Sequence, residues 1–418
     1  MIAGDRLTLR IEKPVAGGRM LARDQGAVVL VAGALPGETV EARVERVQKG
    51  TVWATVVKVL EASPARVGEP MPCGGCVLAH AEYGHQLAIK QQIITDAFGR
   101  LARQPVEAPD IVPSPVAGYR MRARLHVVDG RVGFYREGTH ELCDPGPTGQ
   151  LLPETIAALE QVAAAWPAAA RVRAIDVAEN RDASERALHV ELAREADPTS
   201  LGGLVAAAGV TSLSYSHEHS ARVRVLAGDG HVTDRFERAG ARWALARTAR
   251  AFFQSNRFLL EPLVDAVCSQ LAPGAVTDLY AGVGLFALAA AAAGHVPVTA
   301  VEGDAVSAAD LRHNAADWRG LLQARHESVE DFLRRRRIAA PPSLILDPPR
   351  TGLSRLAVAG IVALRAPRLV YVSCDVPTLA RDTRALVEGG YALSGLRAFD
   401  LFPNTAHVET IATFDLAR

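Results

Sequence analysis

From about residue 250 to its end, the chain alternates short apolar runs with helical stretches, and this restricts it to a doubly wound, mostly parallel sheet. The spacing of Leu259, Leu260, Leu263, Val264, Val267 and Leu271 predicts a helix, with Cys268 on its packed face. A strand at Ala275 to Tyr280 then enters Ala281-Gly282-Val283-Gly284, and an apolar helix, Leu285 to Ala293, follows. The next strand, Val296 to Val301, ends in Glu302, 20 residues after Gly282. Glycines let a backbone pass close to a ligand at a helix N-terminus, and an acid ending the second strand can bind a ribose. The third glycine of a dinucleotide fingerprint is absent, because Leu285 and Phe286 follow Gly284. The form Asp278-x-x-x-Gly282-x-Gly284 points instead to S-adenosylmethionine.

Three later segments each end or begin an apolar run with a reactive side chain. Ser343 to Leu346 runs into Asp347-Pro348-Pro349-Arg350, Leu369 to Ser373 delivers Cys374, and Phe402-Pro403-Asn404-Thr405-Ala406-His407 precedes Val408-Glu409-Thr410. Read as strands of one parallel sheet, they bring two acids and a thiol to the rim where open α/β sheets bind ligands. Asp347 can accept hydrogen bonds beside a stiff prolyl wall, and a helix N-terminus after Cys374 favours its thiolate. Thiol plus carboxylate suits carbon 5 of a pyrimidine. Cys374 would add to carbon 6, making carbon 5 nucleophilic, and Glu409 would remove the carbon 5 proton after methylation. Two alternatives stand beside this: an RNA-binding protein with a decayed methyltransferase domain, and an amino-directed nucleic-acid methyltransferase using Asp347-Pro348-Pro349.

The rest of the chain reads differently. At 418 residues it exceeds one core, and three regions are expected: 1–60, 61–245 and 246–418. Residues 1–60 alternate with period two between glycine turns, which suggests a small antiparallel barrel, either oligonucleotide-binding or structural. The middle region is α+β. It carries a helix around Gln86 to Leu101, a hairpin across Asp129-Gly130, and a helix from Pro153 to Trp166. Apolar residues make up 49% and charged residues 22%, as in globular proteins, and the formal charge is zero, so no broad basic face advertises RNA. Local clusters remain at Arg120, Arg122 and Arg124, at Arg242, Arg247 and Arg250, and at Arg334 to Arg337. The longest apolar run is too short to span a bilayer, and 5 cysteines without a signal pattern imply the reducing cytoplasm.

In combination, Phe252-Phe253-Gln254-Ser255-Asn256, Asp278 to Gly284, Val301-Glu302, Asp347-Pro348-Pro349-Arg350, Val372-Ser373-Cys374-Asp375 and His407-Val408-Glu409-Thr410 resemble the RNA uracil-5-methyltransferases of tRNA and 23S rRNA. Gly133 to His140 resembles part of their central domain, and the barrel resembles the RNA-binding TRAM domain. The resemblance implies a C-terminal Rossmann-like domain with a parallel-rich seven-stranded sheet. It implies S-adenosylmethionine on Gln254, Tyr280, Glu302 and Asp347, with Gly282 and Gly284 beneath it and Ser328 towards the adenine. Cys374 would be the nucleophile and Glu409 the base. The partner would be RNA, with 23S rRNA slightly favoured over tRNA, and the enzyme a cytoplasmic monomer.

The chain also departs from the family. Many members hold an iron–sulfur cluster on C-x5-C-G-G-C and a distant fourth cysteine. Here Cys73-Gly74-Gly75-Cys76 supplies the later pair, Val67 stands in the first position, and Cys143 lies about five residues too early for the fourth. Two matching thiols argue against a cluster and leave a relic site or a packed turn. Zinc would need His80 and His85 at an unfamiliar spacing. Leu285 replaces a frequent asparagine.

Overall fold

The computed structural model describes residues 1–136, 138–165, 171–193, 209–220, 222–238, 240–335 and 339–417. Strands β1 (Arg6–Pro14), β2 (Met20–Asp24), β3 (Ala27–Ala32), β4 (Thr39–Gln48) and β5 (Thr51–Glu61) close a barrel in the order β1-β2-β3-β5-β4. The period-two pattern puts Leu9, Ile11, Val29, Val31, Val40, Ala42, Val52 and Ala54 inside. The expectation of an antiparallel barrel needs one correction, since β3 and β5 run parallel. β4 pairs with both β1 and β5, so β5 returns between β4 and β3 and meets β3 in the same direction.

Helix α1 (Tyr83–Ala97) follows, capped by Glu82, whose carboxylate accepts the Gly84 and His85 N–H groups. Then come β6 (Ile111–Val112), β7 (Arg122–Val128), β8 (Arg131–Tyr135), β9 (Leu142–Cys143), α2 (Pro153–Ala165), β10 (Val172–Glu179), β11 (Arg186–Leu192), β12 (Ser212–His217) and β13 (Arg224–Ala227). Seven of them form a sheet, β13-β12-β11-β10-β7-β8-β9. Asp129 (φ 50°) and Gly130 (φ 73°) make the expected turn between β7 and β8. Trp166, the expected end of α2, lies outside the described residues.

A two-stranded ribbon, β14 (His231–Arg238) and β15 (Ala241–Thr248), leads into the last third. Its Phe236, Trp243 and Leu245 share a core with Leu260, Leu263 and Phe286, so the ribbon packs on the C-terminal unit. That unit comprises α3 (Leu260–Cys268), β16 (Val276–Leu279), α4 (Leu285–Ala292), β17 (Val298–Glu302), α5 (Ala305–Asn314), β18 (Leu322–His326), α6 (Val329–Leu333), β19 (Ser343–Leu346), α7 (Arg355–Leu364), β20 (Arg368–Ser373), α8 (Val376–Glu388), β21 (Tyr391–Phe399) and β22 (Glu409–Leu416). The sheet order is β18-β17-β16-β19-β20-β22-β21-β6. Seven strands come from the C-terminal region, and the two-residue β6 adds an eighth at the edge. Pairings from β18 to β20 are parallel, whereas β22 runs antiparallel to β20 and β21. The third reactive segment is therefore not a parallel strand, and its reversed direction is what puts its first residue, Glu409, at the rim where β19 and β20 end.

Among the described residues, no helix is long and apolar enough to cross a membrane.

Candidate active site

The ends of β16, β17, β19 and β20 and the start of β22 converge on one rim. Asp278, within β16, is fully buried, and neither carboxylate oxygen has a partner at full hydrogen-bond geometry. Burial, then Asp347 and Glu302, push its carboxyl well above the ordinary range, and only the nearby Ala287 N–H draws it down. After β16 the chain turns through Tyr280 (φ 65°), Gly282 (φ 56°) and Gly284 (φ 99°). Gly284 is required twice over: its φ is left-handed, and a Cβ there would stand 2.7 Å from Leu288 Cδ1 and 2.8 Å from Leu311 Cδ1. A Cβ on Gly282 would meet nothing within 4 Å, which leaves open space above the turn. Glu302 braces that turn, accepting the Gly282 N–H at 2.7 Å and the Asp304 N–H at 2.6 Å.

Asp347 leaves β19 with its N–H on the Leu279 carbonyl, 3.3 Å away, and so stands beside the glycine turn. Burial and the Glu302 charge push its carboxyl up to about 7. Asp278, Glu302 and Asp347 thus form an acidic cup at the end of the sheet. The fit to S-adenosylmethionine is good, because that molecule brings a sulfonium and an ammonium to a site whose carboxylates repel one another in its absence.

The other expected contacts fall in different places. Ser328 caps α6, its hydroxyl accepting the Asp331 N–H at 3.1 Å, and its Cα lies 3.7 Å from where a Gly303 Cβ would be, next to Glu302. Gln254 is buried in a segment whose neighbours reach two sheets: Met121 N–H donates to the Ser255 carbonyl (2.8 Å), and Asn256 Nδ2 donates to the Leu401 carbonyl (3.1 Å). Tyr280 is half-buried, and burial pushes its phenol upward, with Glu330 and Asp382 adding to the shift.

Cys374 follows β20 and precedes α8, whose N-cap Asp375 accepts the Thr378 N–H at 2.9 Å. Ser373 pairs with Thr410 and Phe399 with Glu409, so one step further along the β20–β22 register sets Cys374 opposite Glu409. The helix terminus does not leave this thiol acidic, as its sequence position suggested. Burial first, then Glu409 and Asp347, push it up to about 12, opposed by charge and a hydrogen bond from Arg350. Two facing carboxylates and a desolvated site outweigh one helix N-terminus. Glu409 is 1% exposed, its Oε2 unpartnered, and burial with the Asp347 charge holds its carboxyl well above the ordinary range. The rim can therefore hold a neutral thiol, a buried carboxyl of raised pKa and one cation, Arg350.

Arg350 is the group that sequence reasoning left without a role. Its segment is tied to α8: Thr378 Oγ1 donates to the Arg350 carbonyl (3.1 Å), Arg381 to the Thr351 carbonyl (2.9 Å), and Leu353 N–H to Asp382 (2.8 Å). A Cβ on Gly352 would stand 2.2 Å from Thr378 Cγ2, so only glycine permits this approach. The pattern Pro-Pro-Arg-x-Gly was the available signal. The expected arginine patches mostly serve structure: Arg247 is buried against Asp234, Arg120 bonds Gln150, and Arg124 bonds Asp176 and Glu191. Arg336 and Arg337 lie outside the described residues, as does Glu137 of the Gly133 to His140 stretch.

The cysteine turn differs from a four-thiol site. Cys143 is brought against Cys73, with Cα atoms 5.8 Å apart, although Cys143 looked misplaced by spacing. Cys76 has no sulfur partner and is buried, its thiol pushed up to about 11. Val67 is 64% exposed, and His80 faces the Ala34 carbonyl. With a valine at position 67, where the first ligand thiol would stand, and Cys73 paired with Cys143, the side chains present do not supply the four thiols of an iron–sulfur cluster.

Comparison with known proteins identifies the family and the fold. Residues 218–415 match the tRNA (uracil-5-)-methyltransferase family model, and residues 3–57 match the TRAM domain. The chain is 32% identical to the 23S rRNA (uracil(1939)-C(5))-methyltransferase RlmD of Halomonas elongata, over 97% of this chain and 89% of that one. It is 31% identical to an uncharacterised RNA methyltransferase of Streptomyces coelicolor, over 100% and 94% of the two chains. Its fold matches the tRNA (uracil-54, C5)-methyltransferase of Pyrococcus abyssi, solved with S-adenosyl-L-homocysteine, with a TM-score of 0.75 at 23% identity over 98% and 100% of the chains. The doubly wound sheet, the N-terminal barrel and whole-length relatives at this identity lead to one conclusion: the chain belongs to the S-adenosylmethionine-dependent RNA uracil-5-methyltransferases.

Proposed function

We propose that the protein methylates carbon 5 of a specific uridine in 23S rRNA, with Cys374 as nucleophile and Glu409 as base. The observation that carries this reading is the register that sets Cys374 opposite Glu409 at the acidic rim. Several relatives along the full length of the chain, including those of Halomonas elongata and Pseudomonas putida, bear 23S rRNA names, which favours that RNA over tRNA. Asp347, Glu302, Tyr280, Gln254 and Ser328 would hold S-adenosylmethionine, with Gly282 and Gly284 giving its approach. When bound, it supplies a methyl group on a sulfonium sulfur, which carbon 5 of the activated ring takes.

The protein's own residues do the rest. The target uridine leaves its stack to reach the rim. With Arg350 offsetting the facing carboxylates, Cys374 releases its proton to solvent water, and its thiolate sulfur bonds to carbon 6, leaving carbon 5 electron-rich. After methylation, Glu409 takes the carbon 5 proton. The electron pair left behind re-forms the carbon 5–carbon 6 double bond and expels the thiolate. A carboxylate with a raised pKa is suited to that proton transfer. The barrel and the central sheet would grip the surrounding RNA, and the reading takes the enzyme as a monomer that meets its RNA in the cytoplasm.

The test is transfer of labelled methyl from S-adenosylmethionine into unmodified 23S rRNA and tRNA, followed by nucleoside analysis. Label as 5-methyluridine in 23S rRNA is the expected result, and label in tRNA alone would reassign the substrate. Cofactor binding without any transfer would favour a decayed enzyme, and full activity in Cys374→Ala would favour amino-directed chemistry.

A further inference from the structure

Lys90 is a fully buried charge that the chemistry above does not use. It lies on α1, and its ammonium donates to Asp400 Oδ1 and to the Phe402 carbonyl, 3.0 Å away. Asp400 Oδ2 accepts from Tyr83 Oη at 2.9 Å, and that hydroxyl accepts the Ser114 N–H at 2.8 Å. One turn earlier on α1, Gln86 pairs reciprocally with Asn404: its Oε1 accepts the Asn404 N–H at 2.9 Å, and its Nε2 donates to Asn404 Oδ1 at 3.0 Å. Leu78 N–H reaches the Asn404 carbonyl at 2.8 Å. The segment from Asp400 to His407 is thus clamped from a helix more than three hundred residues away in sequence.

This segment leads directly into Glu409. At its far end, His407 gives its N–H to Thr405 Oγ1 (3.1 Å). A buried ion pair adds little net stability compared with packed apolar residues, but it fixes direction and register. Directional bonds at Asp400, Phe402 and Asn404 leave the following strand little freedom to slide.

We infer that Lys90 and Gln86 are positioning residues for proton removal, holding the segment from Asp400 to His407 so that Glu409 faces the Cys374 adduct. The inference rests on the roles given above to Cys374 and Glu409. A base displaced by about an ångström loses up to about a hundredfold in rate, while addition of the thiol, carried on β20, is spared.

The test compares wild type with two variants, Lys90→Met/Asp400→Asn, which removes the pair without stranding a charge, and Gln86→Leu, which leaves the charges in place. Each is assayed with substrate RNA and with the same RNA carrying 5-fluorouridine, which has no carbon 5 proton to remove. The expected result is a kcat lowered on the order of tenfold to a hundredfold, with apparent KM for RNA falling alongside it because the covalent adduct accumulates, so that kcat/KM changes little. A covalent protein–RNA complex should build up on normal RNA in the variants only, while 5-fluorouridine RNA traps all three proteins at the same rate. A parallel fall in turnover and trapping, or no fall in either, would overturn the inference. If the double variant does not fold, Gln86→Leu decides by the same readouts. No trapping by wild type would instead overturn the Cys374 reading, and this inference with it.

Discussion

Asp347 should couple cofactor binding to pH. Its carboxyl, raised from the ordinary 3.8 to about 7 by burial and Glu302, is half ionised near neutrality in the ligand-free protein. Roughly nine in ten copies are protonated at pH 6, and about one in ten at pH 8. If only the ionised form holds the cationic methyl donor, affinity rises roughly tenfold across that interval, about 1.4 kcal/mol. The effect on the fold has the opposite sign. A native pKa above the unfolded value means that protonation stabilises the ligand-free protein, a contribution complete below about pH 4 and lost as pH climbs to about 7. Titration calorimetry at pH 6, 7 and 8, in buffers of different ionisation enthalpy, measures both the affinity and the proton released. Release of about 0.9 proton is expected at pH 6 and about 0.1 at pH 8. Asp347→Asn should bind more weakly and show a flat profile. A flat wild-type profile, or an unchanged slope in Asp347→Asn, would refute the assignment.

Other changes test the remaining parts of the site. Cys374→Ala should reduce 5-methyluridine formation to background while still binding S-adenosylmethionine, as followed by nucleoside analysis and calorimetry. Glu409→Gln should lower turnover by about 10²–10⁴-fold and accumulate a covalent RNA complex, visible as a denaturation-resistant band. Gly284→Ala should cost about 1–3 kcal/mol, read from urea unfolding, because the new Cβ meets Leu288 and Leu311 in a left-handed backbone. Reconstitution with ferrous iron and sulfide should leave no visible charge-transfer band, since Val67 occupies a position where a fourth thiol is needed.

What could be read from the linear chain is what depends on near neighbours. The turn from Asp278 to Gly284 announces itself because left-handed φ and close approach demand glycine within a few residues of the strand. The segments ending in Asp347 and Cys374 were legible for the same reason, since an apolar run followed by a polar residue and a helix start marks the end of a parallel strand. The Asp129-Gly130 hairpin is equally local. Direction, pairing and electrostatics were not legible in this way. The chain does not state that β22 turns back antiparallel, although that reversal brings Glu409 to Cys374. Lys90 with Asp400, and Cys73 with Cys143, are pairs formed only by folding, across 310 and 70 residues. The thiol of Cys374 shows the difference most plainly. Position before a helix argued for an acidic thiol, but its ionisation depends on everything within a few ångströms, and burial with two carboxylates from other strands reverses the sign. The sequence by itself determined the family of chemistry, through residue types at strand ends. Tertiary structure alone decided how those groups face one another, because desolvation and charge act through space and not along the chain.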